Sequence, residues 1–226
     1  MVRMKKFTLI ELLVIVAIIG ILISILLPSM YKAKQVAMVA VCLSNASQHN
    51  LAAELYTKEN NDRYHPVPRR NGSQLRAALA GDTGDGSNDN YKWYKSSKRP
   101  YNPYLSTSGK DVFMCPTMNG VRYYQSGNTY AFAYEFLDRA EVIDSDKVNL
   151  FKARIHNPSN TIFGSNNGAV KVVLDLKYKT DDEKFRAHDS YFKTPLAFFD
   201  GHVRFGKVSV GARSYKNYTF DNRDNR

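Results

Sequence analysis

With only two cysteines in 226 residues, Cys42 and Cys115, the chain has too few thiols for a disulfide framework or a four-thiolate zinc centre. A single bridge is the most they can form. Acidic residues are also scarce, since 21 Asp plus Glu stand against 32 Lys plus Arg, a formal net charge of +11. That excess makes a basic surface and by itself names no partner. The local patterns that carry enzymatic chemistry are missing too: there is no nucleophile elbow, no His-Glu-x-x-His helix and no glycine-rich phosphate loop. The side chains left for such chemistry, His156, His188, His202 and Asp200, fall in none of these frames, and no catalytic activity or catalytic metal is expected. No internal repeat or low-complexity tract is evident, and 43% hydrophobic with 23% charged residues fits one folded domain plus an appendage.

Charge is rarest near the start. From Phe7 to Leu27 the chain is apolar except for Thr8, Glu11 and Ser24, and at about 1.5 Å per residue this run is roughly 31 Å long, close to the roughly 30 Å hydrocarbon core of a bilayer. One membrane-spanning helix is therefore expected. A secretory signal peptide has a shorter apolar core and a small-residue cleavage site, for which Pro28-Ser29-Met30 is a poor substitute. Arg3, Lys5 and Lys6 precede the span, and Lys32 and Lys34 follow it. The positive-inside bias then places the amino terminus in the cytoplasm and Pro28 onward outside. Glu11 is the odd residue, because a carboxylate costs about 2.5 to 3.5 kcal/mol at the centre of a spanning helix and less near its end. A cation at similar depth on a neighbouring subunit would remove that cost, and the amine made by cutting between Lys6 and Phe7 would be one.

The string Lys6-Phe7-Thr8-Leu9-Ile10-Glu11-Leu12-Leu13-Val14 resembles the class III signal of type IV pilins and type II secretion pseudopilins. The resemblance implies that a prepilin peptidase cuts between Lys6 and Phe7 and methylates the new amine of Phe7, and that Glu11 is the assembly carboxylate. Pro28 falls where such pilins commonly carry a kinking proline. Lys6 departs from the pattern, which usually has Gly before the cut. The implied partners are the prepilin peptidase, other pilin or pseudopilin subunits, an inner-membrane assembly platform and the lipid bilayer. The implied location is the inner membrane, single-pass with a periplasmic head, and then a periplasmic or extracellular filament. Gly20 and Ser24 form a small-xxx-small pair that would let helices approach closely in lipid or in a bundle. The bland reading of the same segment is an uncut single-pass anchor whose Glu11 snorkels to the headgroups.

Past Pro28, a helical rhythm of Ala33, Ala37, Ala40, Ser44, Ser47, Leu51 and Leu55 predicts a contact stripe on a continuing helix. Glu54 and Lys58 are spaced for an (i, i+4) pair, and Glu59-Asn60-Asn61-Asp62 ends the periodicity. One helix from Phe7 to Asn60 would be about 81 Å long, bent at Pro28. The expected organisation is a leader over 1–6, a transmembrane helix over 7–27, its continuation over 28–60 and a β-rich head over 61–226. Strands are expected at 111–114, 129–136, 161–163, 170–176, 196–199 and 202–205. The last two flank Asp200-Gly201 and read as a hairpin. The fold class expected is α+β, a long amino-terminal helix packed on an antiparallel sheet.

Cys42 to Asn45 on the long helix, with Phe113 to Pro116 and Ala197 to Val203 in the head, resemble, in patches, segments of many bacterial pilin-like proteins. Both cysteines lie outside the cytoplasm by the topology above, so a bridge is permitted; two buried reduced thiols are the alternative. Asp82 to Asp89 is rich in oxygen ligands, which suggests calcium, yet its spacing does not match an EF-hand loop and a solvated loop is the plainer reading. No other cofactor is expected. Residues 61–226 hold 26 Lys plus Arg, 18 Asp plus Glu and 13 of the 15 tyrosines. That combination would suit nucleic acid or an anionic envelope polymer, and so keeps open an anchored binding protein that does not polymerise.

Overall fold

A computed structural model of the chain describes residues 8–65, 67–68, 80, 99–105, 110–116, 130–132, 141–144, 147–149, 152, 155, 157–166, 193–207, 214–215 and 218–219. Helix α1 runs Leu9–Glu59 with Pro28 inside it. It stops because Asn61 and Asp62 take left-handed conformations, φ 55° and 56°. The Thr57 carbonyl then accepts from the Asp62 N–H at 2.9 Å, a six-residue closure that ends helices, with asparagine in the place glycine usually holds. Contacts divide the chain into two compact units, Met1–Met38 and Val39–Arg226, so the division falls within α1.

The buried face of α1 is not the stripe its periodicity predicts. Ala33, Ala37, Ala40, Ser44, Ser47, Leu51 and Leu55 are all exposed, while Cys42, Asn45, Ala46, His49, Asn50, Ala52, Ala53 and Thr57 are buried. Both sets keep helical spacing, and the polar one wins because its side chains bond backbone carbonyls. Asn45 Nδ2 donates to Met114 O at 3.3 Å, Asn50 Nδ2 donates to Phe198 O at 2.8 Å, and His49 Nε2 lies 3.0 Å from Val112 O. Glu54 likewise turns away from the expected Lys58 and pairs with Lys152. Asn50→Ala removes one buried bond of this set and is expected to destabilise the protein by about 1 kcal/mol. Chemical denaturation of the detergent-solubilised chain checks this; an unchanged midpoint would mean the bond contributes nothing.

Among the described residues nine short strands follow: β1 (Val67–Pro68), β2 (Tyr130–Phe132), β3 (Glu141–Asp144), β4 (Lys147–Asn149), β5 (Ile162–Asn166), β6 (Lys193–Phe198), β7 (Val203–Lys207), β8 (Ser214–Tyr215) and β9 (Tyr218–Thr219). They form antiparallel sheets of order β1-β4-β3, β2-β5-β6-β7 and β8-β9. One long apolar helix and small antiparallel sheets make an α+β layout. The strand expected over 111–114 is instead a 3-10 turn, Lys110–Phe113. There the carbonyls of Val112 and Met114 are taken by α1 side chains rather than by a neighbouring strand. The strand expected over 170–176 lies outside the described residues.

The core of the second unit is aromatic. Phe163, Phe199 and Tyr64 meet with ring centroids 5.2 to 5.4 Å apart, within the range at which such pairs add to simple burial. Ala52 and Ala53 of α1 belong to the same cluster, and small residues there let the rings approach the helix backbone. A second cluster joins Cys42, Ala46, Cys115 and Tyr130.

Candidate functional site

Helix α1 opens on a reciprocal cap. Thr8 N–H and Thr8 Oγ1 each donate to Glu11 Oε2 at 2.8 Å, and Glu11 N–H donates back to Thr8 Oγ1 at 3.2 Å. Leu12 N–H bonds Thr8 O at 3.3 Å, the first rung of the helix. This is the Thr-x-x-Glu capping box, in which two otherwise orphaned donors are satisfied at once. Glu11 therefore sits in the first turn, and its carboxylate has a local use that hydropathy reasoning overlooks. The pattern was present in the sequence as Thr8 three residues before Glu11. Lys6 and Phe7, the residues flanking the expected cut, lie outside the described residues.

Downstream of the cap the helix presents an exposed apolar surface. Leu9 is 81% exposed and the other large apolar side chains through Leu27 are exposed as well. A patch of that size on a water-soluble monomer would be untenable. The helix is long and apolar enough to cross a membrane, which makes the chain compatible with a single-pass membrane protein. A Cβ built on Gly20 meets nothing within 4 Å, so a larger side chain there disturbs no intramolecular contact. Ser24 Oγ donates to Ile21 O at 2.7 Å, which satisfies the hydroxyl inside its own helix. Pro28 brings no N–H to the Ser24 carbonyl, and Ser29 Oγ donates to Leu26 O at 2.8 Å beside it.

In the second unit Cys42 and Cys115 are bonded, with Cα atoms 5.4 Å apart and both residues fully buried. The bridge fastens α1 to the segment whose carbonyls Asn45 and His49 engage. The Asp200-Gly201 hairpin closes with Phe198 N–H donating to His202 O at 3.0 Å and Gly201 N–H donating to Phe198 O at 3.1 Å. The loop thus holds Phe199, Asp200 and Gly201, one more residue than the Asp-Gly pair the sequence suggests. Gly201 at φ +97° supplies the conformation that a side chain would oppose. Asp200 Oδ1 fixes the turn by accepting from His202 N–H at 3.1 Å and by meeting His202 Nδ1 at 2.6 Å. The His202 ring stacks on Phe198 at 4.1 Å.

Beside the hairpin lies a groove of about 480 Å³ whose charged lining among the described residues is Glu54, Lys152 and Asp200. Among the described residues no group of three His, Cys, Asp or Glu side chains converges as a metal site would require. His156, His188 and the Asp82 to Asp89 segment lie outside the described residues. Comparison with models of protein families, with curated proteins and with solved structures finds no match to this chain. Sequence reasoning missed Thr8, His49 and Asn50, and met Asn45 only through the resemblance around Cys42. Thr8 had a readable signal; a polar helix face is indistinguishable in sequence from a solvated one.

Proposed function

We propose that the chain is a pilin-like structural subunit, held in the inner membrane by α1 and assembled into a type IV pilus or a type II secretion pseudopilus. The observation that carries this reading is the apolar helix, exposed from Leu9 to Leu27, that begins directly after the expected cut. A helix clothed in apolar side chains is stable in lipid or in a bundle of its own kind. Cleavage between Lys6 and Phe7 by a prepilin peptidase leaves the Thr8 N–H in place and creates an amine one residue before the cap. Glu11 then has a cation to pair with on a neighbouring subunit, and the charge that is costly in lipid is neutralised in the filament. The role is structural, with no reaction, cofactor or nucleic acid assigned to the head.

A second reading is an uncut single-pass anchor carrying a periplasmic binding head. The capping box favours it, because Glu11 there is already engaged by its own helix. The intact mass and amino-terminal sequence of protein from membranes with an active prepilin peptidase separates the two. A chain starting at methylated Phe7 supports the subunit reading; a chain starting at Met1 supports the anchor.

Gly20→Leu gives a further test. Since the site is open within the chain, the substitution is expected to lower filament yield at least several-fold and to leave membrane insertion unchanged, insertion being governed by total apolarity. Equal loss of both, read by shearing filaments from cells and blotting the membrane fraction, would refute a packing role for Gly20.

A further inference from the structure

The uncharged stretch of α1 has two marked ends. Between Glu11 and Tyr31 lie 19 residues, Leu12 to Met30, with no ionisable side chain among them. At about 1.5 Å per residue the step from Glu11 to Tyr31 is roughly 30 Å along the helix, the thickness of a hydrocarbon core. The large apolar side chains of this interval are exposed. Its only polar side chains are Ser24 and Ser29, and each hydroxyl donates to a carbonyl of its own helix, Ile21 O at 2.7 Å and Leu26 O at 2.8 Å. Both hydroxyls are thus satisfied before they meet lipid.

The outer end changes character at once. Tyr31, Lys32 and Lys34 are all exposed. Gln35 Nε2 reaches back one turn to donate to Tyr31 Oη at 3.1 Å, so the polar tip of the ring is bonded by a residue further from the apolar run. Rings with an apolar body and a polar tip collect where hydrocarbon gives way to headgroups. Lys32 and Lys34 are two positions apart, about 200° around the helix, and so project from opposite sides of it. Their stems can stay with apolar surface while the ammonium groups reach the phosphate level.

We propose that Tyr31, Lys32 and Lys34 form a collar that binds the phosphate groups of anionic phospholipids and fixes the depth of α1, with Glu11 at the opposite headgroup level. The partner is a lipid because the lysines directly adjoin the exposed apolar run: a molecule with an anionic head and an apolar tail meets both, whereas soluble phosphate would meet the first alone. At the far end of the same span the Glu11 carboxylate lies where a charge costs less than at mid-bilayer. The inference rests on α1 spanning a membrane and not on filament assembly.

Tyr31→Trp places a reporter at the collar of the full-length chain, reconstituted in vesicles of phosphatidylcholine and phosphatidylglycerol, with the signal of Trp93, the one native tryptophan, subtracted using the parent chain. Bromines near the glycerol end of the acyl chains are expected to quench the reporter about twofold more than bromines near the chain ends. Brominated phosphatidylglycerol should quench it about twofold more than brominated phosphatidylcholine at the same mole fraction, and Lys32→Gln combined with Lys34→Gln should abolish that preference. Stronger quenching by the deep bromines, equal quenching by the two headgroup classes, or an anionic preference that survives both substitutions would overturn the collar. Absence of quenching by every brominated lipid would overturn the membrane span and the collar with it.

Discussion

Glu11→Gln is expected to leave the chain in the membrane and to abolish its filaments. The amide oxygen of glutamine accepts from Thr8 N–H and Oγ1 as the carboxylate does, and Thr-x-x-Gln is as good a capping box as Thr-x-x-Glu. Only the charge is removed. Glu11→Ala removes cap and charge together, and the cap contributes about 1 kcal/mol, too little to expel a spanning segment from lipid. Thr8→Val does the reverse, keeping the charge and losing the two bonds made by Thr8 Oγ1, with only the N–H of residue 8 left to Glu11. The three variants rank differently under the two roles of Glu11. Charge pairing between subunits predicts no filaments from Gln or Ala and reduced but present filaments from Val. A purely local cap predicts that Gln behaves as wild type. Sheared-filament yield set against membrane-fraction yield, in cells with an active prepilin peptidase, separates the outcomes.

The second large effect belongs to the bridge. Cys42 and Cys115 are 73 residues apart in sequence, and in the chain-entropy model closing such a loop stabilises by about 4 kcal/mol. Against a total of about 5 to 15 kcal/mol for a domain this is a large share. Replacing both cysteines by alanine should lower the unfolding midpoint by roughly 8 to 16 °C at this chain length. Near-UV circular dichroism of the full chain in micelles, followed on heating with and without reductant, measures it. Coincident oxidised and reduced transitions would show that the bridge is not formed or contributes nothing.

Where local chemistry decides the outcome, the sequence is informative. The apolar run from Phe7 to Leu27, the asparagine-rich helix stop and the strands on either side of Asp200-Gly201 follow from composition and turn residues, and their described parts lie close to where that reasoning puts them. Where a long-range partner decides, it is not. The stripe of Ser44, Ser47, Leu51 and Leu55 carries the leucines, yet Asn45, His49 and Asn50 are inside, because carbonyls 63 to 148 residues away in sequence reach them. No helical wheel contains that information. Residues 111–114 failed for the same cause, their carbonyls being engaged by side chains instead of a ladder. At Thr8 and Glu11 the pattern was legible and its local meaning was masked by the more conspicuous question of a charge in lipid.

The polar face of α1 also sets how the head responds to force. Apolar faces can creep past one another in small slips, since greasy contacts re-form at any offset. Hydrogen bonds from Asn45, His49 and Asn50 to fixed carbonyls have one register, and a shift of one helical turn, about 5.4 Å, breaks all three together. Under tension along the helix axis this joint is brittle rather than ductile: it holds without drift, then fails in one step, with the covalent tie at Cys42 the last element to bear the load.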